Sequence, residues 1–574
     1  MKRTRINLFA TVALAALLAS CSGLDKMKEN APDIDYTVTP EVLEAHGGQV
    51  PVEINVQIPG GYFDKKTEIE ATPVLVYDGG ETAYDSFQLQ GENVDGNAKV
   101  ISYANGDQFA YEGSVEYDEA MRVSDLEIRI TATRGDNTLD FDPVKVAEGV
   151  IATSHLLGKE GAQAALGADN FQRVVTESGK ADIHYLIQRS YVRNSELRKD
   201  DIKALEEFIQ AAKDAENKEF KAANISAYAS PDGPIDLNTR LAKDREESAQ
   251  EYLKEEFADR EVEKAEEENF WELRNTPEDW EGFKELVENS DIEDKDLILR
   301  VLSNYDDPEV REEQMEDMAA VWKVLAEDIL PKLRRSKIDI NIDVIGKSDE
   351  EIAELADNNP SELSLEEILY AATLTDDLDE QLEIYQTALE QHSNCWRAQN
   401  NIGVVLHKQG DIEGAKVAFE KANEMKANQP EVVNNLGVVA LYENDLEAAQ
   451  EYFDSAAGAG DELDNNLGVL AIINGNYDEA VRYFGNSNSC NAALAKLLNG
   501  NYDAALATLN ANNKEVGIKH YLKAIIGARS NDTDMMFESL RKAVELDSEL
   551  KEVAATDMEF ARFFEDASFK EIVQ

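Results

Sequence analysis

Between Val50 and Ile58 every second residue is apolar: Val50, Val52, Ile54, Val56 and Ile58 alternate with Pro51, Glu53, Asn55 and Gln57. Leu126, Ile128 and Ile130 alternate with Glu127, Arg129 and Thr131 in the same way. A period of two sets one face of a strand against a core and leaves the other in water. Pro59-Gly60-Gly61, Asp78-Gly79-Gly80 and Asn105-Gly106-Asp107 cut residues 36–155 into short runs, which predicts a small antiparallel β-sandwich. No chemistry shows in it, and binding module and spacer are equally open. Further on the period changes. Ile202, Leu205, Phe208, Ile209 and Ala212 form a helical stripe within 200–215. Strand-like runs stand at 181–190, at Ile225–Ala229 and at Lys337–Val344, and a helix follows the second of them over Asn238–Leu253. Residues 254–329 read as an acidic helical insert, in which Trp271, Trp280 and Trp322 either pin extra helices to a core or form a partner-binding patch.

The C-terminal third repeats itself. Asn400-Asn401-Ile402-Gly403, Asn434-Asn435-Leu436-Gly437 and Asn465-Asn466-Leu467-Gly468 recur at spacings of 34 and 31. Gly410, Asn444 and Gly475 mark helix–helix turns, and Ala415, Ala449, Ala480 and then Phe419, Phe453, Phe484 follow in register. A further copy of the turn, Asn499-Gly500-Asn501-Tyr502, comes only 25 residues after Asn474-Gly475-Asn476-Tyr477, so one repeat is degenerate. This pattern resembles the tetratricopeptide repeat, whose helix pairs stack into a solenoid with a concave face; the array spans 360–555. The register turns Asn400, Val404, His407 and Lys408, then Asn434, Val438, Leu441 and Tyr442, then Asn465, Val469, Ile472 and Ile473 to the groove. The second asparagines, Asn401, Asn435 and Asn466, match positions that hold peptide backbone in the family. Basic partners for a carboxylate clamp are nearly absent. The expected ligand is therefore an extended or helical peptide with apolar anchors. Asparagines that only satisfy polar groups between repeats are the plainer alternative. Phe560, Phe563 and Phe564 in the tail are a candidate filler of the same groove.

Ser230-Pro231-Asp232-Gly233 follows the strand at Ile225–Ala229, and Asn238, Leu241 and Arg245 stand 8, 11 and 15 residues after Ser230. The order and spacing resemble the OmpA-like domain, with Ser230 where the family has Asp, and Arg334-Arg335 before the last strand adds to the likeness. The resemblance implies an α/β domain over 170–345 that holds peptidoglycan. It casts Arg245 on a stem-peptide carboxylate, Asp232 as a substitute for the missing Asp, and Asn238 and Arg335 beside them. A guanidinium suits a carboxylate geometrically. Losing the Asp weakens the grip by about 1.5–3 kcal/mol.

At the N-terminus a basic Met-Lys-Arg-Thr-Arg precedes an apolar run, Leu8 to Leu18, too short to span a bilayer. Leu18-Ala19-Ser20-Cys21 resembles a bacterial lipobox. It implies a signal peptide over 1–20, acyl chains on Cys21, a tether over 21–35, and an outer-membrane lipoprotein on the periplasmic face. The chain has 116 Asp and Glu against 56 Lys and Arg, which repels nucleic acid. Cys395 and Cys490 lie on different repeats and are expected as free thiols. The six histidines are scattered, so no metal or cofactor site is legible. No nucleophile–base pair, phosphate loop or Gly-x-Ser-x-Gly occurs. The chain thus reads as a multidomain α+β protein: β-sandwich, OmpA-like domain with helical insert, and α-solenoid. Its expected work is non-enzymatic, as an envelope scaffold with peptidoglycan and envelope proteins as partners. Carbohydrate or peptide capture by the β-domain, with the OmpA-like domain reused for protein binding, is the alternative.

Overall fold

The computed structural model describes residues 23–305 and 307–574. The chain divides into two compact units, one built from residues 23–168 with 375–574, the other from 169–374. The lipobox and Cys21 lie outside the described residues.

The first unit begins with the β-domain. Asp35–Thr39, Gln49–Ile58 and Asp107–Glu116 form a three-stranded antiparallel sheet. A seven-stranded sheet is built around Glu68–Tyr77 and Ser124–Arg134. The alternating apolar residues of both, Val50, Val52, Ile54, Ile69, Leu126 and Ile128 among them, share one core. Residues 23–29 are helical, and Leu24 and Met27 are buried in that core, so the segment expected as a tether is in part docked. The cause is local: the two apolar side chains stand three apart on one helical face.

The rest of this unit is a stack of helix pairs, from Leu378–Gln391 through Thr533–Leu546. Each pair turns through a left-handed residue followed by a helix N-cap. At Gly410, Asn444, Gly475, Gly500 and Asn531 φ is 84°, 61°, 74°, 74° and 60°. The side chains of Asp411, Asp445, Asn501 and Asp532, each next in sequence to such a residue, accept a backbone N–H of the helix they open. The Leu-Gly and Phe positions explain each other. A Cβ on Gly403, Gly437 or Gly468 would stand 2.5, 2.5 or 2.7 Å from the ring of Phe419, Phe453 or Phe484. The glycine is what lets the phenylalanine fill the joint. The tail folds back onto the last pair, with Phe560 edge-on to Tyr521 and Phe563 edge-on to Phe537. Cys395 and Cys490 are free thiols.

The second unit is a four-stranded sheet in the order Val174–His184, Arg335–Ile345, Lys218–Tyr228, Trp271–Thr276. The central strand Arg335–Ile345 is antiparallel to both its neighbours, and Trp271–Thr276 runs parallel to Lys218–Tyr228. Helices Asp200–Asp214 and Ile235–Asp259 cover one face through Ile202, Leu205, Ile209, Ala249, Leu253 and Phe257. The other face carries Asp339, Asn341 and Asp343, which is why the last strand alternates. The strand Trp271–Thr276 corrects the reading of 254–329 as wholly helical. Its apolar residues are few because this edge strand packs only Trp271 against the core, and Leu273 is exposed. Helices Trp280–Glu288, Lys295–Asn304 and Ala319–Asp328 then form a small core of their own around Phe283, Ile298 and Leu325, with Trp280 and Trp322 against it.

Candidate functional site

The Asn doublets stand one above another on the first helix of successive repeats, because the repeat length returns each to the same face. All six side chains turn toward residues 161–168 of the same chain, in which Gly161 closes a short turn and residues 162–168 run on with neither helix nor strand. The geometry repeats at every rung. Asn401 Oδ1 accepts the N–H of Gly167 at 2.8 Å, and its Nδ2 donates to the Gly167 carbonyl at 3.0 Å. Asn435 does the same for Ala165 at 2.6 and 2.8 Å, and Asn466 for Gln163 at 2.7 Å each. The first asparagine of each doublet reaches the carbonyl two residues earlier: Asn400 to Ala165, Asn434 to Gln163, Asn465 to Gly161, at 3.0, 3.2 and 2.8 Å.

The amides also bond to each other. Asn435 Nδ2 donates to Asn400 Oδ1, and Asn466 Nδ2 to Asn434 Oδ1, both at 2.9 Å. Within each doublet the first Nδ2 donates to the second Oδ1 at 3.1–3.3 Å. An amide offers two donors and two acceptor sites. Asn435 uses all four, on Ala165 N, Ala165 O, Asn400 and Asn434. One repeat thus reads one dipeptide step, about 6.6 Å of extended chain. The segment runs against the order of the repeats. The asparagines both join repeats and hold main chain, so the two alternatives legible in the sequence occur together.

The apolar strip is not open. Val404, Val438, Leu441, Val469 and Ile472 are buried, against the expectation of an exposed concave surface. Its cover is residues 153–168. The turns Thr153–His155 and Gly158–Gly161 pack on the repeat helices, and Leu156, Leu157, Ala162 and Ala164 join their apolar clusters. The tail around Phe560 is not the filler. A Gly-Ala-Gln-Ala-Ala-Leu-Gly-Ala run has neither strand period nor helical stripe, so no pattern marks it for this role. Only its small residues, which fit a close main-chain approach, could have flagged it. Tyr442 stands edge-on to His407 with ring centroids 5.5 Å apart, and burial lowers the His407 imidazole below its usual range.

The covering segment is continuous with the β-domain, which is itself fastened to the solenoid. Arg529 donates to Glu559 through two nitrogens and to Glu44 at 2.6 Å, and Thr153 donates to Glu559. His46 Nδ1 lies 2.9 Å from the Tyr477 hydroxyl. Burial pushes the Glu44 carboxyl up, but His46 and Arg529 outweigh it and hold it at about 2. Glu559 is more deeply enclosed, and burial pushes it upward against the pull of Arg529.

In the second unit the motif residues come together around one loop, facing inward. Arg245 is 1 % exposed. Its guanidinium donates to the carbonyls of Tyr228, Arg189 and Leu186 at 2.7, 3.0 and 3.5 Å. Burial, with Arg334 nearby adding repulsion, lowers it to about 10. Asn238 donates to the carbonyls of Ser230 and Gly233, closing the loop. Ser230 donates to Asp232, and Arg334 binds both, at 3.0 Å to Ser230 Oγ and 2.7 Å to Asp232. Arg335 faces Asp279 at 3.4 Å and Asp182 at 3.9 Å. The Arg245 guanidinium expected to meet a carboxylate is therefore spent on main-chain carbonyls. A cavity of about 460 Å³ lies in the first unit beside Gln163, Asp461, Asp464 and Tyr483. Another of about 860 Å³, against Lys254 and Trp271 in the second, has none of the motif residues in its wall. Among the described residues no three His, Cys, Asp or Glu are grouped to hold a metal, and no helix is long and apolar enough to cross a membrane.

Two tetratricopeptide repeat family models match residues 397–429 and 434–487. No curated protein matches the chain. Among solved structures, a tetratricopeptide repeat protein from Parabacteroides merdae is 16 % identical over 37 % of this chain and 91 % of its own, with a TM-score of 0.29. YrrB, described as a TPR protein with an unusual peptide-binding site, is 19 % identical over 29 % of this chain and 94 % of its own, with a TM-score of 0.23. The APC/C hetero-tetramer Cut9-Hcn1 gives 14 % identity over 60 % and 77 %, with a TM-score of 0.32. The family matches fall on the helices that carry the Asn doublets, and the C-terminal part of the chain is a tetratricopeptide repeat array.

Proposed function

We propose that this protein is a non-enzymatic interaction scaffold of the bacterial envelope, acylated at Cys21, held at the outer membrane, and binding extended protein segments along its repeats. One observation carries the reading. Three Asn doublets take both the N–H and the C=O of an extended main chain, a geometry that serves peptide recognition and no bond-making chemistry. A photocrosslinker at Asp464, beside the groove, is expected to capture envelope proteins from intact cells. Equal capture from Glu447, on the second helix of its repeat, would count against it. For the anchor, Cys21→Ala is expected to release the protein from the membrane fraction.

For residues 170–345 the element order strand, helix, strand, helix, strand supports an OmpA-like domain, with Gly233, Asn238 and Arg245 around one loop. Peptidoglycan contact is the first expectation from that likeness. A second reading, contact with protein instead, is favoured by Arg245, Arg334 and Arg335, each engaged with groups of this chain. Co-sedimentation with sacculi separates the two. Binding by the wild type that strengthens in Ser230→Asp supports the wall. No binding by either supports protein contact.

A further inference from the structure

The ladder has one more rung than the segment fills. Asn491 stands 25 residues after Asn466, at the position of the second asparagine, with Cys490 in place of the first. It opens the helix Cys490–Leu498 and is 5 % exposed. Its Oδ1 is buried without a hydrogen-bond partner. Its amide points at the strap: a Cβ on Gly161 would stand 1.7 Å from Asn491 Nδ2. By the geometry of the other three rungs, this Oδ1 is set to accept the N–H of the residue at position 161. The strap cannot supply it, because the extended run ends there. Residues 158–161 are a tight turn, held by the Ala162 N–H on the Lys159 carbonyl at 3.0 Å. A buried acceptor left unmade is a standing cost that an occupant continuing in extended form removes.

The groove also states what side chains it admits. A Cβ on Gly167 would lie 3.0–3.1 Å from Arg397, and Ala165 is 1 % exposed, so the rung positions take only small residues. Gln163 differs. It borders the cavity of about 460 Å³ that carries Asp461 and Asp464 in its wall, room and charge for a lysine or arginine.

We infer that residues 161–168 are an exchangeable self-ligand, and that the groove takes in trans a partner segment extended by at least two further residues at its N-terminal end. Such a segment has small residues at the positions of 161, 165 and 167 and a basic residue at that of 163. The inference rests on the scaffold reading and names its ligand. The strap fills three rungs and wins in the free protein because it is tethered, at an effective concentration on the order of millimolar. A partner engages four rungs and displaces it.

The test uses the full chain and a labelled probe, Ala-Ala-Gly-Ala-Lys-Ala-Ala-Leu-Gly-Ala, with a short version in which an acetyl group replaces the first three residues, so that the carbonyl at the position of 161 is kept and its N–H is not. Ala165→Glu expels the strap from its tightest rung. In that background the long probe is expected to bind at least about tenfold more tightly than to wild type, and about tenfold more tightly than the short probe. Adding Asn491→Ala is expected to abolish the advantage of the long probe and leave the short one unchanged. Equal affinities of the two probes, with or without Asn491, overturn the four-rung inference while leaving the groove a peptide site. No binding of either probe to a folded Ala165→Glu chain overturns both. Wild-type hydrogen exchange gives a check independent of the variant. The amides of Gln163, Ala165 and Gly167 are expected to exchange faster than those of Val438 and Leu470. Exchange of all five at one common rate would make the strap a fixed element and overturn its exchangeability.

Discussion

Both units contain a polar motif that reads in sequence as a ligand-binding device, and in both the polar side chains hold this chain's own backbone. What separates them is the chemistry of the hold. The Asn ladder of the first unit takes N–H and C=O together, from a segment whose side chains contribute little. Arg245 in the second donates only, to the carbonyls of Tyr228 at a strand end and of Arg189 and Leu186 in a loop. An amide ladder reads any extended main chain of small residues, so its occupant is interchangeable in kind. A guanidinium enclosed by fixed carbonyls is part of the frame. The residue types named the chemistry in each case, but not whether the partner group belonged to another molecule.

The contrast can be broken at its centre. Asn435→Ala strands the Ala165 N–H and Asn400 Oδ1 and leaves the Ala165 carbonyl with Asn400 alone, and is expected to cost about 3–5 kcal/mol in denaturant unfolding of the first unit. A loss below about 1 kcal/mol would mean that the ladder holds nothing in the free protein. Arg245→Met is expected to cost about 2–4 kcal/mol, confined to 169–374 and visible as lost amide protection there. Arg245→Lys should not restore it, since an ammonium cannot span the three carbonyls. Full rescue by lysine would show a charge effect and not a frame.

The two units also differ in how they treat a buried carboxylate. Glu44, paired across the β-domain and solenoid, is held at about 2, whereas Glu312 in the second unit is raised to about 7 by burial and then by Glu278, Glu316 and Asp232. The signs are opposite. Glu44 contributes stability that is present above its unfolded value of 4.5 and is lost as pH falls toward 2. Glu44→Gln should therefore cost about 1–2 kcal/mol at neutral pH, with the difference from wild type vanishing in acid titrations. A constant difference across pH would exclude the ion pair as its source. For Glu312 the charged form is the disfavoured one, so stability falls as pH rises from 4.5 to about 7. Glu312→Gln is the smallest effect: a slight rise in Tm at pH 8 and none at pH 4.5. A rise at both pH values would point to helix propensity.

Where one face of an element is buried, the sequence announced it. The 34-residue return of Asn-Asn-x-Gly, the Phe that needs that Gly, and the alternation at Val50–Ile58 each follow from a single repeated packing constraint. What stayed hidden lacked such a period. Trp271–Thr276 is a short edge strand within acidic residues and shows two apolar positions only. Gly161–Ala168 has no amphipathic face, because its main chain and not its side chains makes the contact. Leu24 and Met27 are two apolar residues in a polar stretch. Arg245 looked available because spacing shows where a side chain starts and not where it ends. The third Asn doublet and the next repeat were in the sequence too, and Asn491 stood at its place in the register, masked by the shortened spacing and by Cys490.

The strap and its rungs are far apart in the order of synthesis. Gly167 is bound by Asn401 across 234 residues, Ala165 by Asn435 across 270, and Gln163 by Asn466 across 303. The whole of 169–374 is made in between. At about 5–20 residues per second, the strap waits on the order of 10–60 s before its last rung exists. Until Asn400 and Asn401 are made it is unpaired main chain, open to any extended-peptide binder or protease. Closure of the ladder is then a late event, and a chain cut short before Asn400 keeps its strap in solution. Protection of residues 161–168 is thus a built-in signal that the repeats have been completed.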